Sequence, residues 1–213
     1  GTQGAGRAQC EDYYSPLIGD YYKIFNKESE YGLRAPYEFY YEVNDKFDTL
    51  DINNAYYAFY EMIDGYDHPG LVFLKKTDKG DCIYSAYTPG GCIMNYRGGS
   101  PDEKEGEELY FYDKGTIAFV RNVDGYEYIS YFRPYFEGEY DFYKFILTLV
   151  KKEYDSGQYR YYISYDRESG EDFSSHDYNI YMDSTKEEYD EIRSKYEKPA
   201  EIEKIPLTEF AGE

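Results

Sequence analysis

Residues 116–132 read TIAFVRNVDGYEYISYF and give the clearest fold signal in the chain. Two runs rich in β-branched and aromatic residues flank Asp124-Gly125, a dipeptide that favours the positive φ angles of a two-residue hairpin turn. Comparable runs flank Pro89-Gly90-Gly91, Lys114-Gly115 and Asp155-Ser156-Gly157. Because a short turn joins each pair, these runs predict successive antiparallel strands over most of residues 55–182.

Helical periodicity is found on both sides of the strands. Ser15-Pro16 has the form of a helix start, and a second helix is expected from Pro36 to about Phe47. A capping box at Thr185–Glu188 predicts a helix over residues 185–198, with Tyr189, Ile192 and Tyr196 on its buried face. The expected fold is therefore α+β: N-terminal helices packed on an antiparallel meander sheet or open barrel of about eight to ten strands, closed by a short C-terminal helix.

The domain organisation follows from these patterns and from a length of 213 residues, which suits one domain. Residues 1–9 are small and polar, and we expect a flexible leader or a cloning remnant there. Residues 10–213 are predicted to form a single α+β domain. Within it, residues 10–50 are expected to be helical, residues 55–182 mostly antiparallel strands, and residues 185–198 a helix.

Composition excludes some classes of partner. The 43 acidic against 23 basic residues give a net charge of −20, which repels phosphate backbones and anionic lipid, so we expect no nucleic-acid partner. Disordered chains share such a charge, but they are poor in aromatic residues, whereas 21% of this chain is aromatic and 32 residues are Tyr. We therefore expect a folded, Tyr-rich domain.

Two segments carry a family resemblance. Residues 60–71 read YEMIDGYDHPGL, a strand that leads through an acidic loop into an apolar strand, and residues 187–196 read EEYDEIRSKY. Together they resemble uncharacterised Tyr-rich surface lipoproteins of gut Firmicutes. The resemblance implies an extracytoplasmic, cell-surface lipoprotein of a Gram-positive bacterium. It also implies that the only membrane contact is an N-terminal lipid anchor upstream of this chain, and it says little about activity.

The acidic loop in the first segment resembles a calcium loop of that family in a degenerate form. Its remaining oxygen ligands are Glu61, Asp64 and Asp67, while Tyr66 and Gly70 stand where the pattern has further acidic residues. Calcium takes six to eight oxygen ligands, so we expect a plain hairpin loop, no metal and no cofactor. Calcium bound with the help of Asp67 is the alternative.

The three cysteines leave two possibilities open. An odd number in an exported protein leaves one thiol unpaired, and a Cys82–Cys92 disulfide or three free thiols both fit the sequence. A turn centred on Pro89-Gly90 would place Cys92 opposite Tyr87 rather than opposite Cys82, which argues against a direct bridge. The two histidines, His68 and His176, complete no catalytic or metal-binding motif.

The Tyr clusters are the enriched feature that could serve a function. Strand alternation puts Tyr126 and Tyr128 on one face, and we expect them to form an exposed aromatic face that binds an extracellular glycan or peptide. Alternatively, Tyr only fills strand faces in the core. With no catalytic residues identified, the expected function is non-enzymatic. The competing hypothesis is a small secreted hydrolase with a carboxylate pair.

Overall fold

The structure is a computed structural model, and it describes residues 6–28, 50–61, 66–77, 80–94, 108–112, 115–135, 142–165, 181–196 and 201–210. In these residues there are two α-helices, α1 (Arg7–Phe25) and α2 (Lys186–Ser194). The strands are β1 (Ala55–Tyr60), β2 (Gly70–Thr77), β3 (Gly80–Thr88), β4 (Gly91–Met94), β5 (Glu108–Phe111), β6 (Ile117–Val123), β7 (Tyr126–Tyr135), β8 (Phe142–Asp155), β9 (Gln158–Ser164), β10 (Met182–Ser184) and β11 (Ile205–Pro206). The helix predicted over residues 36–47 lies outside the described ranges.

The strands form two antiparallel sheets. Sheet A has the order β11-β1-β2-β3-β4, and sheet B has the order β10-β9-β8-β7-β6-β5. Turn chemistry explains the hairpins, since Asp124 and Gly125 have φ angles of 52° and 79° and Gly157 has a φ of 74°. The α+β class and the antiparallel meanders are confirmed, and the described strands lie in two sheets that form no closed barrel.

The division into two sheets has a physical reason in the strand faces. β6 is apolar on both sides, with Ile117 and Phe119 on one face and Ala118 and Val120 on the other. A sheet with two apolar faces needs another layer of secondary structure packed on each face. Sheet A covers one face of sheet B, where Ala58, Val72, Leu74 and Ala86 meet Phe111, Ile117, Phe119 and Phe132. The other face of sheet B packs against α2 and the turn that follows it, through Tyr189, Ile192 and Tyr196.

Helix α1 covers the outer face of sheet A. Its buried residues recur every three or four positions, as Cys10, Tyr14, Ile18, Tyr21 and Ile24. The Tyr21 ring stacks on Phe73 with centroids 3.6 Å apart. Its hydroxyl also hydrogen-bonds to the Tyr87 hydroxyl at 2.7 Å. The layers therefore follow the order α1, sheet A, sheet B, α2.

The start of α1 differs from the prediction. The helix begins at Arg7, inside the predicted leader, and Pro16 lies in the helix interior rather than at its first position. The earlier turns are helical because Cys10 and Tyr14 continue the buried stripe beyond Pro16. Neither described helix is both long and apolar enough to cross a membrane.

Both ends of the described chain meet at α1. Arg7 forms ion pairs with Glu11 at 2.7 Å, with Glu203 at 3.4 Å and with Glu209 at 3.3 Å. Ile205 and Leu207 are buried in the same cluster as the α1 side chains. Strand β11 also pairs with β1 at Tyr57, so the C-terminal segment is held against the first layer of the fold.

Candidate functional site

A cleft lies between α2 and the β5–β7 half of sheet B. Its volume is about 600 Å³. We call it the tyrosine cleft, and its lining residues are Tyr110, Tyr112, Val120, Asn122, Glu127, Ile129, Tyr131, Asp190, Arg193, Ser194 and Tyr196. It exists because α2 packs over only part of the outer face of sheet B, leaving the β5–β6 side of that face uncovered by the helix.

Strand register brings the sheet residues of the cleft to one face. Ala118 on β6 lies opposite Tyr110 on β5 and opposite Tyr131 on β7. Further along the same hairpin, Val120 lies opposite Ile129, and Asn122 lies opposite Glu127. Because side chains alternate between faces, these positions all point away from sheet A and toward the α2 layer.

Tyr189 fixes α2 on the sheet beside the cleft. Its side chain is 1% exposed, and its ring lies 5.0 Å from that of Tyr161. Its hydroxyl donates to the Glu127 carboxylate at 3.1 Å. Thr185 caps the start of the helix, because its side-chain oxygen accepts a hydrogen bond from the Glu188 backbone N–H at 3.1 Å. This packing and capping set the position of Asp190, Arg193 and Ser194 at the cleft wall.

Three tyrosine rings form the aromatic part of the wall. Tyr131 and Tyr196 stack with ring centroids 4.1 Å apart. Tyr112 is tilted against both rings, at 6.4 Å from Tyr131 and 5.8 Å from Tyr196. Tyr110 lies on the outer strand and is 36% exposed. The cleft therefore has a packed aromatic base and an accessible aromatic rim.

Burial controls the protonation of these tyrosines. Removal from water raises the pKa of Tyr112, Tyr131 and Tyr196 above the ordinary tyrosine value. The positive charge of Arg193 partly offsets the rise in pKa for Tyr112 and Tyr131. The three hydroxyls are therefore protonated at neutral pH and can both donate and accept hydrogen bonds.

The charged residues of the cleft differ in their partners. Glu127 accepts a hydrogen bond from Tyr189, and Asp190 forms an ion pair with Lys186 one turn earlier on α2. Arg193 is exposed and forms no ion pair with any residue that the structure describes. The site combines aromatic surface, two carboxylates already held by neighbours, and one guanidinium.

The predicted binding residues Tyr126 and Tyr128 lie on the opposite face of sheet B. Tyr128 is 4% exposed and packs with Val150 and Tyr181, so the expectation that it belongs to an exposed aromatic face is wrong. Its ring is also covered by the Arg121 guanidinium, 4.9 Å from the centroid. Tyr126 is half-buried, with the Lys152 ammonium 4.2 Å from its ring centroid. A role of either residue in ligand binding stays a prediction.

The predicted metal and disulfide positions are only partly described. Glu61 and Asp67 belong to described segments and Asp64 does not. Within those segments no three His, Cys, Asp or Glu side chains are placed to hold a metal ion. Cys92 lies opposite Tyr87, as the turn at Pro89-Gly90 predicts, but the side chains of Cys82 and Cys92 lie outside the described set, so their pairing stays open. The Cys10 side chain is buried against the core.

Sequence reasoning missed the tyrosine cleft although its signal was present. In the Asp124-Gly125 hairpin, the positions that alternate with Tyr126 and Tyr128 are Glu127, Ile129 and Tyr131. The pair Tyr110 and Tyr112 has the same two-residue spacing one strand away, and Tyr196 lies at the end of the predicted C-terminal helix face. Alternation predicts which residues share a face, but it does not reveal which face carries a cleft.

Comparisons with protein-family models, with curated proteins and with solved structures found no match. The tyrosine cleft is therefore interpreted from its own contacts and chemistry.

Proposed function

We propose that the protein is a non-catalytic, extracytoplasmic cell-surface protein that binds a glycan through the tyrosine cleft. The cell-surface location rests on the sequence resemblance to Tyr-rich surface lipoproteins. The binding role rests on one observation, namely that a cleft of about 600 Å³ is lined by four tyrosines together with Asn122, Glu127, Asp190, Arg193 and Ser194.

The chemistry of the lining suits a sugar. A sugar ring has an apolar face that can lie on an aromatic ring, and Tyr110 and Tyr112 supply rings at the outer strand of the cleft. The hydroxyls at the sugar's edge need donors and acceptors, which Asn122, Glu127 and Arg193 supply. A volume of about 600 Å³ falls within the usual range for small-molecule sites.

A small hydrolase is the second candidate, because Glu127 and Asp190 both line the cleft. In a hydrolase one carboxyl group gives a proton to the leaving oxygen and the other acts on the sugar carbon or on water. Here Glu127 is bonded to the Tyr189 hydroxyl, and Asp190 is paired with Lys186. Both carboxylates thus have structural partners, and this favours binding over catalysis.

A glycan array tests the proposal. The protein should bind a defined set of glycans, and Tyr110→Ala should lose that binding by removing the exposed ring of the cleft. Tyr154→Ala is the matched control, because Tyr154 is 54% exposed on β8 and does not line the cleft. Circular dichroism should show that both variants fold.

Three outcomes would overturn the proposal. One is the absence of any bound glycan, and another is binding that Tyr110→Ala and Tyr154→Ala reduce equally. Binding of peptides alone, with the same dependence on Tyr110, would identify a peptide-binding protein instead. Release of sugar from a bound glycan, abolished by Glu127→Gln, would establish the hydrolase.

A further inference from the structure

Arg193 is the cation that lines the tyrosine cleft of this acidic protein. The chain carries 20 more negative than positive charges, so a cation has many possible acidic partners. Arg7 makes ion pairs with three glutamates, and Lys186 pairs with Asp190. Arg193, in contrast, lines the tyrosine cleft and has no ion-pair partner within the described part of the chain.

The position of Arg193 directs its charge into the cleft. It lies in the last turn of α2, and its charge acts on the hydroxyls of Tyr112, Tyr131 and Tyr189, whose pKa values it lowers against the effect of burial. Arg193 lines the same cleft as Tyr112 and Tyr131, and its side chain stays exposed. A ligand that lies against these tyrosines comes within reach of the guanidinium.

We propose that the glycan bound in the tyrosine cleft carries a carboxylate, and that Arg193 binds this carboxylate. This inference rests on the proposed glycan-binding function and adds the chemical class of the sugar, a uronic or related acidic sugar. The planar guanidinium matches a carboxylate with two parallel N–H···O hydrogen bonds, an arrangement that a lysine ammonium does not reproduce.

The surroundings favour one carboxylate over a more highly charged group. Glu127 and Asp190 line the same cleft, and the protein as a whole is strongly negative, so a phosphate or a run of sulfates would meet repulsion from both. A single carboxylate can pair with Arg193 while the neutral hydroxyls of the sugar donate to Glu127 or Asp190. The cleft is thus suited to a ligand that is acidic at one point and neutral elsewhere.

Calorimetric titration with a matched pair of ligands tests the inference. One ligand is an otherwise neutral oligosaccharide that carries a single uronic-acid residue, and the other is the same oligosaccharide with that carboxyl group reduced to a primary alcohol. At about 0.15 M salt, where charges more than about 8 Å apart are screened, the protein should bind the acidic form about ten- to a hundred-fold more tightly.

Variants of Arg193 test whether this residue causes the preference for the acidic form over the reduced form. Arg193→Gln should bind both forms with equal affinity. Arg193→Lys should keep only part of the preference for the acidic form, because lysine retains the charge but lacks the planar guanidinium. Lys195→Gln is the matched control, since it removes one positive charge from the same end of α2 but does not line the cleft. It should keep the full preference.

The outcomes separate this inference from the proposed function. Equal affinity of the wild-type protein for the acidic and reduced forms, or equal effects of Arg193→Gln and Lys195→Gln, would overturn the role of the carboxylate and leave glycan binding standing. If neither form binds and the array yields no other glycan, both proposals fail. Retention of the preference for the acidic form in Arg193→Gln would also overturn the inference.

Discussion

Alkaline pH should unfold this protein over a narrow range, because its core is built on buried tyrosines. Burial raises the pKa of Tyr14, Tyr57, Tyr131 and Tyr189 well above the ordinary value, and it raises the pKa of Tyr181 to about 12. All five side chains are at most 7% exposed. In the unfolded chain each would titrate near pH 10.

The sign and size of the effect follow from proton linkage. A folded-state pKa above the unfolded one leaves the free energy of unfolding unchanged below about pH 10, and it lowers that free energy as the pH rises further. Each such tyrosine contributes about 1.4 kcal/mol per pH unit, so five together contribute about 7 kcal/mol per pH unit. Against a typical total stability of about 5–15 kcal/mol, the unfolding midpoint is expected at about pH 11–12.

Circular dichroism and tyrosinate absorbance, recorded together from about pH 9 upward, measure this transition. Tyr131→Phe should reduce the pH slope by about one fifth and raise the midpoint by about 0.3 pH unit, because it removes one of the five groups. The exposed Tyr154 provides the control, and Tyr154→Phe should leave the midpoint unchanged. A fold that persists at pH 12, or a midpoint indifferent to Tyr131→Phe, would refute the reasoning.

Three further predictions concern stability and can be measured by thermal or urea unfolding. Gly19→Ala should stabilise the protein by about 1 kcal/mol, because the new methyl group would lie in a helix and 3.7 Å from the Phe210 ring. Gly125→Ala should instead destabilise it by at least about 1 kcal/mol, since Gly125 has a φ of 79°. Equal effects of the two substitutions would contradict this prediction. Thr185→Ala should cost about 1 kcal/mol through loss of the cap on Glu188, and no loss would mean that the cap is dispensable. Raising the salt concentration from about 0.1 M to about 1 M should increase the melting temperature, because salt screens the repulsion among 20 excess negative charges. A constant melting temperature would show that these charges are already paired or well dispersed.

The hairpins were predictable because turn chemistry is local. Asp124-Gly125 and the turn at Gly157 adopt the positive φ angles that their residue types favour, and the strands on either side pair as expected. The division into two sheets was not predictable, because it depends on which apolar face covers which other face. That choice is made by packing between strands far apart in sequence, such as β2 and β6, whose Val72 and Phe119 side chains belong to one core cluster.

The helix start and the candidate site show two further limits of local patterns. Pro16 fits a first helical position, yet packing of Cys10 and Tyr14 extends α1 to Arg7. In the Asp124-Gly125 hairpin, alternation separates Tyr128 from Tyr131 correctly, but only the placement of α2 decides which face carries a cleft. The sequence therefore predicts which residues of a strand share a face, but it does not predict what packs against that face.

The layer order determines how a ligand would reach the molecule. Arg7 lies in the first layer, where it pairs with Glu203 and Glu209, and the tyrosine cleft lies beside α2 in the fourth. Three layer spacings of about 10 Å each separate the two, or roughly 30 Å. A solid support that contacts the molecule beside Arg7 and Glu209 would therefore leave the cleft open on the opposite side.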